Sequence, residues 1–186
     1  MEKAIRTSLI IGGSLALFGL FMYFKNKKGV KKANKKIIIG DSHAVGIGSA
    51  STNVEVDKKI ATGGWMVSNL INALQNYPTR NDVDCVIVSI GTNGQFSSND
   101  KIEDLVKLIK NKFPKSNIYI FRGSYGWSGS RTQNQILDRL VPYYKRFEKS
   151  GVIVLKNQLG YFKDGGEAHS TKTPQAIEII KEINEL

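Results

Sequence analysis

The sequence predicts an α/β protein, a three-layer α/β/α sandwich around a parallel five-stranded sheet, and three observations predict it. From residue 36 onward, strand-like and helix-like segments alternate along the chain, which is typical of a parallel sheet covered by helices. The segments KIIIG (36–40) and DCVIVSIG (84–91) are largely apolar runs, as strands buried on both faces are. The helical segments carry apolar residues at helical spacing, so each has one face to bury.

Each element follows from its local pattern. Five strands are predicted, over residues 36–40, 53–61, 84–91, 117–123 and 151–156. Four helices are predicted, over residues 65–77, 99–113, 131–150 and 173–186. The helix over 99–113 has a polar N-cap signal and acids in its first turn. Pro142 is expected to kink or split the third helix. Five strands within residues 36–186 fit the flavodoxin-like form of the sandwich.

An uncharged stretch, TSLIIGGSLALFGLFMYF (7–24), precedes the α/β part. As a helix it would be about 27 Å long, close to the thickness of the bilayer hydrocarbon. A signal peptide would need a small-residue cleavage site, and a buried core helix would carry a polar face. The sequence therefore predicts a transmembrane anchor over residues 1–24, a lysine-rich linker over 25–35 and one α/β domain over 36–186.

The positive charge is concentrated beside this predicted anchor. The formal net charge is +11, and residues 1–36 carry +8 of it. The remaining residues are close to neutral, which argues against nucleic acid as a partner. The linker lysines are expected to bind lipid headgroups. By the positive-inside rule, the number of these lysines predicts a cytoplasmic domain. A cell-wall substrate would instead require the domain outside the cell. The sequence therefore leaves both orientations in the membrane as alternatives.

Polar and glycine-rich blocks follow four of the predicted strands. They are GDSH (40–43), ATGGW (61–65), GTNG (91–94) and DGGEAH (164–169). Because the carboxyl ends of parallel strands meet at one edge of a sheet, these blocks are expected at one site. A serine that attacks an ester needs a base, and His169 is one of two histidines in the chain. The base needs a carboxylate to fix its tautomer, and Asp164 and Glu167 lie close to it in sequence.

An oxyanion would also need preorganised donors. The candidates are the backbone N–H groups of Ser42 and Gly64 and the side-chain amide of Asn93. Simpler alternatives exist for each polar residue. Ser42 is alternatively a helix N-cap, Asn93 an Asx-turn residue and His169 a surface residue or helix cap.

The four blocks, in this order, resemble those of the SGNH (GDSL-type) hydrolases, and the resemblance covers the chain from residue 36 to the C-terminus. It implies the flavodoxin-like fold and an esterase or lipase activity without a cofactor, carbohydrate acetylesterases being among the members. Carried over by motif, Ser42 is the nucleophile, Gly64 and Asn93 complete the oxyanion hole with the Ser42 N–H, and His169 is the base.

The acid departs from the family pattern. The family usually has Asp three residues before its histidine, where this sequence has Gly166, and Asp164 lies five residues before. We favour Asp164 over Glu167 as the orienting acid, and the engagement of neither is a third alternative. Gly94 stands where many members have Asp, which leaves the Asn93 donor unaffected.

Further residues are expected around the pocket. His43 follows the nucleophile directly, so its side chain is predicted to point elsewhere, as a structural or pocket-lining residue. Trp65 adjoins Gly64 and is a candidate lining residue. Tyr125 and Trp127 are either a platform for a sugar or acyl group or the aromatics of an ordinary loop. Two histidines without a matching acid cluster argue against a metal site.

The predicted function is a membrane-anchored serine esterase acting on an acylated small molecule or glycan. The alternative is a membrane-bound structural or binding protein, for example of a virus particle, on an SGNH scaffold with weak or lost activity. The altered histidine block and the unresolved orientation in the membrane motivate this alternative. The two are distinguished by whether a carboxylate reaches His169 Nδ1 while Ser42 reaches Nε2.

Overall fold

The computed structural model describes residues 35–127 and 137–186, which form a three-layer α/β/α sandwich. The strands are β1 Lys36–Gly40, β2 Val54–Ala61, β3 Cys85–Ser89, β4 Asn117–Trp127 and β5 Ile153–Phe162. All neighbouring strands are parallel, in the order β2-β1-β3-β4-β5. This sheet confirms the predicted flavodoxin-like architecture and all five predicted strands.

The described residues form six helices, five of which pack on the two faces of the sheet. They are α1 Ser42–Ala50, α2 Val67–Gln75, α3 Ile102–Lys112, α4 Leu137–Lys149, α5 Gly165–Ala168 and α6 Pro174–Glu185. Helices α2, α3 and α4 pack on one face, where Ile37 and Ile39 of β1 point. Helices α1 and α6 pack on the other face with Ile38. Alternate residues of β1 thus enter two separate apolar clusters, which explains why the whole strand is apolar.

The end of β1 is a tight junction. Gly40 has φ +131°, and a Cβ on it would lie 1.8 Å from the carbonyl oxygen of Ser89 on β3. Only glycine fits there, because the backbones of β1 and β3 approach each other too closely for a side chain. The chain leaves the sheet at this point, between β1 and β3, where the strand order reverses and ligands bind in sheets of this kind.

Helix α1 follows this junction and was not predicted. Its sequence, SHAVGIGSA, contains two glycines, which lower intrinsic helix propensity. A Cβ on Gly48 would lie 2.3 Å from Ile38 Cγ2, so the glycine lets α1 pack directly on β1. Asp41 is the N-cap, since its Oδ1 accepts from the N–H of His43 at 3.0 Å. The alternative that Ser42 caps the helix is therefore wrong.

Strands β4 and β5 are longer than predicted. β3 pairs with β4 as far as Val88 and Ile120, so residues 121–127 continue β4 past the paired part of β3. Tyr125 and Trp127 consequently lie in a strand and not in a loop. The extended β5 accompanies β4 and carries the chain to α5, above the carboxyl end of the sheet.

The structure also bears on two predicted features of the helices, the N-cap of one and the proline inside another. Helix α3 begins after Lys101, which makes no capping bond with its side chain, so the predicted polar cap is wrong, although Glu103 and Asp104 do occupy the first turn. Helix α4 contains Pro142 without being split. Residues 131–136 of the predicted helix lie outside the described residues.

Within the described part of the chain, no helix is long and apolar enough to cross a membrane. The apolar stretch 7–24 lies outside that part, so the predicted anchor stays a prediction.

Candidate active site

The predicted nucleophile and base meet in the structure. Ser42 is the first residue of α1, half-buried at the carboxyl edge of the sheet. Its Oγ lies 3.0 Å from Nε2 of His169, a residue 127 positions further along the chain. A nucleophilic serine needs a base within hydrogen-bond reach, and this distance meets that requirement.

A backbone carbonyl sets the tautomer of His169. The residue is the C-cap of the short helix α5, and its Nδ1 lies 2.6 Å from the carbonyl oxygen of Gly165. A carbonyl can only accept, so Nδ1 carries the proton. Nε2 is then the unprotonated nitrogen and accepts from the Ser42 hydroxyl, which is the arrangement a general base requires.

The two candidate acids have other partners. Asp164 is the N-cap of α5, and its Oδ1 accepts from the N–H of Glu167 at 2.8 Å. The Glu167 carboxylate accepts from the N–H of Lys163 at 2.7 Å. Among the described residues, no carboxylate bonds to the His169 ring. The carbonyl of Gly165 thus lies where sequence reasoning expected Asp164 or Glu167, because this segment forms a helical turn in which both acids bond to backbone N–H groups.

His43 does not point away from the site as predicted. Its ring stacks on the ring of His169, with a centroid distance of 5.2 Å and an interplanar angle of 21°. It also lines the cavity beside Ser42, as the pocket-lining alternative expected. The side chain is 4% exposed, and burial, assisted by the charge of His169, lowers its pKa to about 4. His43 is therefore uncharged at neutral pH.

A buried carboxylate holds the nucleophile turn against β3. Asp41 is fully buried, and its Oδ1 accepts from Ser89 Oγ at 3.1 Å and from the N–H of His43. Its own N–H donates to the Ser89 carbonyl at 2.9 Å. Burial raises the pKa of Asp41 to about 7, although these hydrogen bonds oppose the shift. Sequence reasoning missed Ser89, and the signal was a polar residue within an otherwise apolar strand.

Two of the three candidate oxyanion donors, Gly64 and Asn93, lie on two loops that are joined to each other. Asn93 Nδ2 donates to the carbonyl of Trp65 at 3.0 Å, which ties the third block to the second. The same nitrogen carries a second N–H. Gly64 is exposed with φ +79°, and a Cβ on its neighbour Gly63 would lie 3.8 Å from Ser42 Cβ. The loop that holds Gly64 therefore runs beside the nucleophile.

The aromatic residues divide between two places. The Trp127 ring meets the His169 ring edge-on, with 6.2 Å between centroids. Tyr125 packs against Tyr161 instead, at 6.0 Å. The cavity lined by Ser42, His43 and His169 measures about 10 Å³, roughly the space that one water molecule needs. Across residues 35–127 and 137–186, no cluster of three His, Cys, Asp or Glu side chains could hold a metal ion.

Solved structures share this architecture. An extracellular lipase from Streptomyces rimosus matches with a TM-score of 0.54 and 11% identity, over 79% of this chain and 97% of that one. A phospholipase A1 from Streptomyces albidoflavus NA297 matches with a TM-score of 0.50 and 15% identity, over 66% and 78%. The sequence matches no family model and no curated protein. The chain therefore has the fold of the SGNH hydrolases, the family that its four sequence blocks resemble.

Proposed function

We propose that the chain is a serine hydrolase of the SGNH type that cleaves short acyl esters. The observation that carries the proposal is the 3.0 Å contact between Ser42 Oγ and His169 Nε2 at the carboxyl edge of the sheet. The four motif blocks support it, because each lies at a strand end of this fold. The two similar enzymes are named a lipase and a phospholipase A1, which is consistent with ester chemistry.

The reaction follows from the positions of these groups. Ser42 Oγ attacks the ester carbonyl while its proton passes to His169 Nε2, and Nδ1–H stays bonded to the Gly165 carbonyl. The N–H groups of Ser42 and Gly64 and the second N–H of Asn93 stabilise the oxyanion, aided by the N-terminal end of α1. The proton then returns to the leaving alcohol. Water, deprotonated by His169, hydrolyses the acyl-enzyme in the same way.

The proposed acyl group is small. The described residues enclose a cavity of only about 10 Å³ at the Ser-His pair, too little for an alkyl chain. We therefore propose an acetyl ester, the acyl group that needs little enclosed space. Trp127 lies beside His169 and offers aromatic surface for the alcohol portion, for which an acetylated glycan is our proposal. Aromatic rings with one polar edge suit such amphipathic partners.

A test compares the full-length chain in detergent with Ser42→Ala on an aryl acetate. We expect Ser42→Ala to lower kcat by about 10³-fold or more, because it removes the nucleophile. Ser49→Ala, on the exposed side of the same helix, is the matched control and should keep full activity. Aryl esters with longer acyl chains should react more slowly. Equal turnover by wild type and Ser42→Ala would reject the hydrolase.

One observation favours the second candidate, a structural or binding protein on an SGNH scaffold. His169 Nδ1 faces a carbonyl and not a carboxylate, so the imidazolium that forms during acyl transfer receives less stabilisation. This role would be supported by a folded wild type with no turnover above Ser42→Ala on aryl acetates and acetylated glycans.

We also propose that residues 7–24 anchor the chain in a membrane, with lipid headgroups bound by the lysines that follow. The 18 uncharged residues support this proposal. Carbonate extraction of membranes should leave the full chain in the pellet and release a chain that lacks residues 1–24. Protease treatment of intact cells distinguishes the two orientations, since the lysines favour a cytoplasmic domain and a cell-wall glycan an external one.

A further inference from the structure

The His169 ring is held on several sides, and none of the contacts that residues 35–127 and 137–186 make with it is a carboxylate. Nε2 meets Ser42 Oγ, and Nδ1 meets the Gly165 carbonyl. These two bonds fix the in-plane direction of the ring. They leave its tilt about the Nδ1–Nε2 direction to the groups that contact its face and edge.

His43 supplies the contact on the face. The two imidazoles are nearly parallel, at an interplanar angle of 21°, and their centroids are 5.2 Å apart, a separation typical of offset stacking. Trp127 meets the ring at an angle of 61° with 6.2 Å between centroids, so its contact restrains the ring less closely. The stack therefore limits tilting of the base.

His43 itself is rigid enough to act as such a platform. It is 4% exposed, and its backbone N–H donates to the side chain of the buried Asp41. The same Asp41 side chain accepts from Ser89 Oγ of β3. A Cβ on Gly123 of β4 would lie 3.9 Å from His43 Cδ2, so the ring also packs beside the β4 backbone. The position of His43 is thus set by the sheet, whereas His169 belongs to a four-residue helix with exposed caps.

We infer that His43 is a positioning residue for acyl transfer, which holds the His169 imidazole at Ser42 by ring stacking in place of an orienting carboxylate. This inference rests on the proposed function. The lowered pKa of His43 is compatible with it, because an uncharged ring does not repel the imidazolium that His169 becomes during the reaction. The buried Asp41 also interacts electrostatically with His169.

The experiment compares His43→Leu, which removes the stack, with His43→Phe, which retains a flat ring without nitrogens. In the full-length chain, we expect His43→Leu to lower kcat about two- to tenfold at unchanged KM, since a ring pair contributes a stabilisation of that size. His43→Phe should stay close to wild type. Ile179→Ala removes a buried side chain of α6 from the apolar cluster that also contains Ala44 and Ile47 of α1, so it controls for loss of stability and should leave kcat unchanged.

A nitrogen-15 spectrum of the imidazole rings gives a second measurement that does not need activity. We expect the protonated-Nδ1 tautomer of His169 in all three proteins, since the Gly165 carbonyl sets it, and sharp His169 signals in wild type and His43→Phe but broadened or shifted ones in His43→Leu, where the ring tilts more freely. Unchanged His169 signals and kcat in His43→Leu would overturn the inference, as would a His43→Phe variant as impaired as His43→Leu. If His43→Leu does not fold, His43→Met replaces it. A wild type without turnover rejects the proposed function, while the spectra still test the stacking.

Discussion

The two halves of the candidate site are held by different means. The nucleophile segment, residues 40–43, lies at the end of a buried strand, and Asp41 joins it to β3. The histidine segment, residues 163–169, contains a four-residue helix, and the acids Asp164 and Glu167 bond to backbone N–H groups of the same segment. The first is part of the core, whereas the second rests on it. Changes in the nucleophile segment should therefore cost more stability than changes in the histidine segment.

The largest difference in stability is expected between two glycines. We expect Gly40→Ala to lower the free energy of unfolding by about 3 kcal/mol or more, because its Cβ would overlap the Ser89 backbone at a positive φ. Gly166→Ala is the matched change in the histidine segment, where the nearest atom to a Cβ is Asp164 Oδ1 at 3.2 Å. It should cost less than about 1 kcal/mol. Urea unfolding measures both, and equal losses would contradict the comparison.

A second prediction concerns the buried acid of the nucleophile segment. The pKa of Asp41 is raised from 3.8 to about 7 in the folded chain, so folding favours its protonated form. Its contribution to stability is present below about pH 4 and is lost as pH rises to about 7. We therefore expect Asp41→Asn to become more stable relative to wild type between these pH values. The pKa of His43 is lowered, so its contribution to stability rises with pH. Because wild type and Asp41→Asn both contain His43, this contribution cancels when their free energies of unfolding are subtracted.

Urea unfolding of wild type and Asp41→Asn at pH 4.5 and 7.5 measures this relative change. The exposed Asp104→Asn on α3 serves as the control and should show no such trend. A constant difference between wild type and Asp41→Asn across the range would show that Asp41 is ionised in the folded chain at low pH.

The smallest effects are expected from the acids of the histidine segment. Asp164→Asn can still cap α5, and it should change kcat/KM less than about tenfold, whereas removing the acid of an engaged triad costs about 10⁴-fold. Asp164→Ala should additionally lose about 1 kcal/mol of local stability through the missing cap. Glu167→Gln should likewise retain activity. A loss above 10³-fold in Asp164→Asn would show that this carboxylate reaches His169 during turnover.

The predictions that the structure confirms depend on short-range patterns. Apolar runs and helical spacing identified every strand of the sheet and most of the helices, because burial on both faces leaves a direct trace in the sequence. The parallel sheet then placed the motif blocks at one edge, and Ser42 and His169 do meet there. Helix α1 was not predicted, because its glycines lower the intrinsic helix propensity of the segment. One of them, Gly48, allows close packing on β1, which depends on the tertiary structure.

The sequence by itself determined the sandwich, the order of its elements and the pairing of one serine with one histidine. Only the tertiary structure decided how that histidine is oriented. Asp164 and Glu167 accept hydrogen bonds from backbone N–H groups of their own segment. The Gly165 carbonyl accepts from Nδ1 of His169, and the His43 ring stacks on the His169 ring. The physical reason is that strand and helix patterns reflect burial along each segment. The partner of a side chain depends on distances between segments, which no local pattern contains.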